Sequence, residues 1–163
     1  MLSKRPKHIF IVEDNELYSM MLDYILSKDS IYKFVRFNSG EECIKNLYLN
    51  PDVVILDYGL PGLNGYETLL EIKRFNPHIH VIILSNNTNK ELPQKLLKAG
   101  ADDFVLKQGH GENQIIEKIE NILHKDELEN EKGSQLKSGS NMKKMIVLFL
   151  ILIALSLSFI YFK

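Results

Sequence analysis

Cysteine is nearly absent: Cys43 stands alone, which excludes an internal disulfide framework and fits a reducing compartment. Charge of one sign is missing too. The 20 basic and 21 acidic residues leave a formal net charge of -1, so no polyelectrolyte attraction to nucleic acid is expected. No histidine and cysteine spacing suits zinc; His78 and His80 stand one strand period apart without further ligands and receive no role. Near the start, Lys4, Arg5 and Lys7 precede only the short apolar run Ile9 to Val12 before Glu13 and Asp14 interrupt it, too short for a signal peptide. No internal repeat is apparent. The 163 residues leave room for one ordinary domain and a modest appendage.

What is present alternates. Apolar, β-rich runs at His8 to Val12, Tyr32 to Phe37, Val53 to Leu56, Ile79 to Leu84 and Asp103 to Leu106 predict a series of strands. Between them, apolar residues recur at helical spacing: Leu17, Met20, Met21, Tyr24 and Ile25, then Ile44, Leu47 and Tyr48, then Leu69, Ile72 and Phe75. A last set, Ile115, Ile116, Ile119, Ile122 and Leu123, predicts a final helix. Ser39 followed three residues later by Glu42 has the form of a capping box. Repeated strand and helix units make the fold class α/β, a parallel sheet covered by helices on both faces. This domain is expected to occupy residues 1–125.

A polar linker, 126–144, then gives way to residues 145–162, which carry no formal charge. As a helix rising about 1.5 Å per residue, that stretch would measure roughly 27 Å, close to the thickness of a bilayer's hydrocarbon layer. One C-terminal transmembrane helix is therefore expected over 145–162. Lys143 and Lys144 flank its near end against Lys163 at the far end, a positive-inside bias that keeps the main domain in the cytoplasm. The expected localisation is a single-pass protein of the cytoplasmic membrane, in contact with the lipid bilayer through 145–162.

In an open parallel sheet, reactive groups gather beyond the C-terminal ends of the strands. Here those ends carry Glu13 and Asp14, then Asp57, Ser85 and Lys107. Carboxylates brought together raise one another's pKa, so the cluster asks for a cation. Hard oxygen ligands and an anionic substrate make Mg²⁺ the natural candidate. Taken singly, each residue also has an ordinary role, Asp57 as a loop carboxylate, Ser85 as a turn cap, Lys107 as a surface lysine and Phe104 as a core aromatic.

Together, and with the segment VVILDYGLPGLNG around the third strand, these residues resemble the response-regulator receiver family over approximately residues 6 to 124. That resemblance implies a flavodoxin-like, doubly wound five-stranded sheet of order 2-1-3-4-5. It implies that Asp57 is the phosphoacceptor, its carboxylate becoming an acyl phosphate. Glu13, Asp14, Asp57 and the backbone carbonyl of Gly59 would hold Mg²⁺, Lys107 would pair with the phosphoryl oxygens, and Ser85 and Phe104 would form the switch. The domain would assist its own phosphorylation and dephosphorylation without acting as an enzyme on other molecules.

The implied partners are a sensor histidine kinase or a histidine phosphotransfer protein, and an output protein that the residues do not identify. Direct DNA binding is not expected, because only a polar linker and an apolar segment follow the domain. Three positions depart from the family pattern: Gln108 stands where a proline usually follows the lysine, Asn86 and Asn87 replace smaller residues, and Gly59 offers no side chain beside the acceptor. An aspartyl-nucleophile phosphatase would need a second aspartate at position 59, where this chain has glycine. A phosphorylation-independent scaffold of the same fold is the alternative reading.

Overall fold

The computed structural model describes residues 5–108, 114–129, 132 and 145. The chain divides into two compact units, Met1–Ile122 and Leu123–Lys163. In the first unit the described elements are β1 (Lys7–Val12), α1 (Glu16–Leu26), β2 (Tyr32–Phe37), α2 (Gly40–Lys45), β3 (Val53–Asp57), α3 (Gly65–Phe75), β4 (His80–Ser85), α4 (Glu91–Lys98) and β5 (Asp103–Leu106). Residues 114–129 are helical, and Leu123 begins the described part of the second unit within that stretch.

The five strands form one parallel sheet of order β2-β1-β3-β4-β5. The family resemblance implied this order. Every residue of the central β3 is buried, as a strand covered on both faces requires. On one face Phe10, Val12, Val54, Leu56, Val81 and Ile83 pack with Cys43, Leu69, Ile72, Leu92 and Leu96 from α2, α3 and α4. Alternation sends Ile9, Ile11, Val53, Ile55 and Ile82 to the other face, where Leu22 and Leu26 of α1 and Ile115 and Ile119 are also buried. Burial alone pushes the Cys43 thiol up to about 12, so it packs as a small hydrophobe.

Three local expectations are corrected. The inward stripe of α1 is Ser19, Leu22 and Leu26, whereas Leu17, Met20 and Tyr24 are exposed. Apolar residues occupy two faces of this helix, and spacing alone cannot say which faces the sheet. The second helix is also short: α2 ends at Lys45 and a 3-10 turn, Leu47–Leu49, follows. Ser39 does cap it, accepting from the Glu42 amide at 3.2 Å, but Glu42 reaches back to the amide of Asn38 at 3.1 Å and not to that of Ser39. The reciprocal box lies at α3, between Asn64 and Glu67.

The expected transmembrane helix, 145–162, lies outside the described residues apart from residue 145. Among the described residues no helix is long and apolar enough to cross a membrane.

Candidate functional site

The parallel register brings the C-terminal ends of β1, β3, β4 and β5 to one edge, and backbone bonds extend the ladder past the strands. The Glu13 amide donates to Phe37 O at 3.0 Å, the Tyr58 amide to Leu84 O at 2.8 Å and the Lys107 amide to Ser85 O at 2.9 Å. Side chains at these positions therefore stand together around a cleft of about 500 Å³. Its lining includes Glu13, Asp14, Tyr18, Asp57, Gly59, Ser85, Asn86 and Lys107.

Glu13, Asp14 and Asp57 each offer a carboxylate oxygen, all within 4.8 Å of one another. Asp14 is exposed at the mouth, while Glu13 and Asp57 are buried at 1% and 6% exposure. Lys107 bridges the buried pair, its Nζ 2.6 Å from Glu13 Oε2 and 2.9 Å from Asp57 Oδ1. Burial raises the Glu13 pKa most; the Lys107 hydrogen bond opposes this and the Asp57 charge adds to it. The other oxygen of Glu13 accepts from the Asn15 amide at 3.3 Å.

Asp57 is positioned by the turn that follows it. Gly65 donates to Tyr58 O at 3.0 Å, and a Cβ on Gly65 would lie 2.4 Å from Asp57 O and 2.5 Å from Tyr58 Cα. Only glycine permits that approach. Gly62, at φ +72°, turns the chain so that the Leu63 amide donates to Glu41 Oε1 at 2.9 Å, tying the turn to α2. Gly59 is different, since a Cβ there would meet only the Asp57 carboxylate, at 3.6 Å for the nearer oxygen.

Ser85 is buried at the end of β4, its Oγ accepting from the Asn87 amide at 3.0 Å. Asn87 Oδ1 accepts from the Asn89 amide, and Asn89 Oδ1 from the Glu91 amide, each at 2.9 Å. Three successive side-chain turns thus carry the chain from Ser85 into α4. Phe104 is half-buried against the core under α4, in register with Ile83. It does not line the cleft.

All the strand-end residues singled out in the sequence meet in this cleft. Two features were not legible there: the Glu41 to Leu63 tie, formed across 22 residues, and the Tyr18 ring, 4.7 Å from the Lys107 ammonium.

The three carboxylates supply the hard oxygen donors that Mg²⁺ prefers, with a mouth open enough for retained waters, so the residues present fit that ion.

The doubly wound sheet and the sequence that forms it are shared with known proteins. The family model described as the response regulator receiver domain matches residues 9–120. The chain belongs to that family. The chemotaxis protein CheY of Thermotoga maritima is 31% identical over 102 residues, covering 62% of this chain and 85% of that protein. Response regulator GacA of Pseudomonas aeruginosa is 27% identical over 117 residues, covering 71% of this chain and 54% of GacA. A cyclic di-GMP phosphodiesterase of Thermotoga maritima is 33% identical over 99 residues but is covered for only 26% of its length. Thus the chain spans most of the chemotaxis protein and about half or less of the other two. Among solved structures, the response regulator domain of Thermotoga maritima CheB aligns with a TM-score of 0.64 at 29% identity, covering 74% of this chain and 96% of that one. A CheY-like receiver domain protein from Methanospirillum hungatei aligns with a TM-score of 0.68 at 25% identity, covering 76% and 98%.

Proposed function

We propose that this chain is a phosphoacceptor of a two-component phosphorelay, taking a phosphoryl group on Asp57 from a sensor histidine kinase or a histidine phosphotransfer protein. The observation that carries this reading is Asp57 itself: a nearly buried carboxylate on the floor of an open cleft, 2.9 Å from a lysine ammonium and grouped with two further carboxylates.

In the transfer, an Asp57 oxygen attacks phosphorus, the bond from phosphorus to the donor imidazole nitrogen breaks, and the imidazole leaves with its electron pair and takes up a proton. The product is an acyl phosphate. Mg²⁺, when bound by Glu13, Asp14, Asp57 and the Gly59 carbonyl, supplies charge neutralisation on the transferring group. Lys107 offers its ammonium to the phosphoryl oxygens from beside Asp57. Ser85 can turn its hydroxyl toward the same group by giving up the bond from the Asn87 amide, and Phe104, packed against the core, would report the change. Such a switch biases two arrangements of one chain, and it transforms no substrate beyond the phosphodonor.

A phosphohistidine lies on another protein, so the donor must dock beside the cleft. Leu17, Met20 and Tyr24 make an exposed apolar stripe along α1 next to Asp14, and that stripe is the docking face in this reading. Output then passes through contact with another protein or through onward phosphotransfer.

The uncharged stretch 145–162 extends the proposal to a single-pass tether in the cytoplasmic membrane, which would raise the receiver's effective concentration near a membrane-bound kinase. Membrane fractionation of the full chain against a chain ending at residue 141 tests the tether, which fails if both partition alike.

The phosphoacceptor reading is tested by incubating the protein with Mg²⁺ and a small acyl or amido phosphate and weighing it intact. The parent chain gains an acid-stable, base-labile phosphate and Asp57→Ala does not. No gain from any donor, a phosphorylated kinase included, would leave the phosphorylation-independent scaffold in its place.

A further inference from the structure

Lys107 is held from three sides, and only two of them are carboxylates. The third is the ring of Tyr18, whose centroid lies 4.7 Å from the ammonium. Tyr18 sits in the first turn of α1, where its amide donates to Asn15 Oδ1 at 3.0 Å, and the Asn15 amide donates to Glu13 Oε1 at 3.3 Å. Ring and carboxylate thus belong to one capped turn, and both close on the same lysine. The face of an aromatic ring attracts a cation through its quadrupole, more strongly where water is excluded, and the Lys107 side chain is only 7% exposed.

We infer that Tyr18 is a positioning residue for phosphoryl transfer to Asp57, holding the Lys107 ammonium against the acceptor by the face of its ring. This role rests on the phosphoacceptor reading above. Glu13 and Asp57 are the groups that a cation and a phosphoryl group would engage, so a lysine anchored by them alone would lose its hold as the site fills. The ring is a neutral contact and competes with neither. Gln108, next in the chain, imposes none of the backbone restriction that a proline would, so a fixed point for the ammonium must come from elsewhere. Tyr18 supplies it from α1, across the cleft from the turn that follows Asp57.

The test compares the full chain with Tyr18→Phe, which keeps the ring, and Tyr18→Leu, which keeps apolar bulk without a quadrupole. In metal-free protein, the ε-methylene protons of Lys107 should show an upfield ring-current shift in the parent and in Tyr18→Phe that is lost in Tyr18→Leu. With Mg²⁺ and a small acyl phosphate, Tyr18→Leu should take phosphate about three- to tenfold more slowly, the size of a partly desolvated cation–π contact, and Tyr18→Phe should restore the rate. Mg²⁺ affinity should stay within about twofold in both, because the three carboxylates and the Lys107 ammonium that competes with the ion for them are all retained.

A parent without the upfield shift overturns the contact. Equal rates in the parent and Tyr18→Leu overturn the role of Tyr18 alone, as does a Tyr18→Phe variant as slow as Tyr18→Leu, which would move the effect to the hydroxyl. Loss of Mg²⁺ binding in Tyr18→Leu would make the residue part of the framework and overturn the positioning role. A parent that takes no phosphate at all overturns the phosphoacceptor reading and this role with it.

Discussion

Lys107 Nζ lies 2.6 Å from Glu13 Oε2, a contact made across 94 residues of sequence and almost wholly shielded from water. The same ammonium reaches Asp57, so one positive charge neutralises two buried carboxylates. Removing it leaves those carboxylates facing each other. Lys107→Gln should lower the stability of the metal-free protein by about 3 kcal/mol, the usual cost of breaking a buried ion pair from one side. Mg²⁺ should then bind about tenfold more tightly, since no ammonium competes for the carboxylates, a change of about 1.4 kcal/mol. Phosphorylation should nonetheless slow about 100-fold, because a donor preorganised toward the phosphoryl oxygens is gone. Chemical denaturation, Mg²⁺ titration and intact-mass time courses check the three effects; weaker Mg²⁺ binding would contradict the competition.

Gly65 fixes where Asp57 can stand. In Gly65→Ala the new Cβ meets backbone at 2.4 Å and 2.5 Å, with no flexible side chain to move aside. A destabilisation of about 2 kcal/mol is expected, with slower phosphorylation, because the strand end carrying Asp57 must shift. Gly59→Ala is the control, since its Cβ meets only the Asp57 carboxylate at ordinary contact distance. Denaturation midpoints separate the two, and equal losses would refute the close-approach account.

At the opposite end of the sheet from the cleft, Asp102 accepts from the Val81 amide at 2.9 Å, pairs with Lys73 at 2.9 Å and meets His80 Nδ1 at 2.7 Å. Burial works to raise its pKa, but the His80, Val81 and Lys73 hydrogen bonds outweigh it and bring the group down to about 2 from 3.8. A carboxylate whose pKa is depressed on folding adds stability above its unfolded pKa and loses it as pH falls through the folded value. Asp102→Asn should therefore cost about 2 kcal/mol at neutral pH and flatten the acid-unfolding curve between about pH 4 and pH 2, with phosphorylation unchanged. Stability measured against pH decides; an unaltered acid limb would contradict it.

The exposed stripe of α1 should matter to one kind of donor only. Leu17→Ser and Met20→Ser change side chains that are 80% and 52% exposed, so stability should move by less than about 1 kcal/mol. Transfer from a small acyl phosphate should be unchanged, while transfer from a phosphorylated histidine kinase should slow about tenfold. Equal rates from the kinase would remove α1 as the docking face.

The inner strands β1, β3 and β4 were legible because buried parallel strands read as near-continuous apolar runs, whereas the partly buried edge strands β2 and β5 showed as runs broken by Lys33 and Arg36 or opened by Asp103; each of the five forms within a residue of its expected ends. The strand-end residues were legible for the same reason, since a run that stops at Asp57 or Ser85 marks the carboxyl edge directly. The inward face of α1 was not. Its stripe begins with Ser19, a polar residue, while Leu17 and Tyr24 carry the stronger apolar signal on the exposed side. The α3 box was missed because Asn64 takes the place of the serine or threonine that marks such a cap, as Ser39 does for α2. Contacts between distant segments, such as Glu41 with the Leu63 amide or Tyr18 with Lys107, depend on how helices are set on the sheet, which no local pattern encodes.

The most direct test of Asp57 as the acceptor is to trap the acyl phosphate chemically. The full chain is phosphorylated with Mg²⁺ and a small acyl phosphate, reduced with borohydride and cleaved to peptides for sequencing by mass. The expected result is homoserine at position 57 and nowhere else, absent when Mg²⁺ is removed. Homoserine at Asp14 or Glu13's reduced counterpart at position 13, with Asp57 intact in a chain that has taken up phosphate, would contradict it.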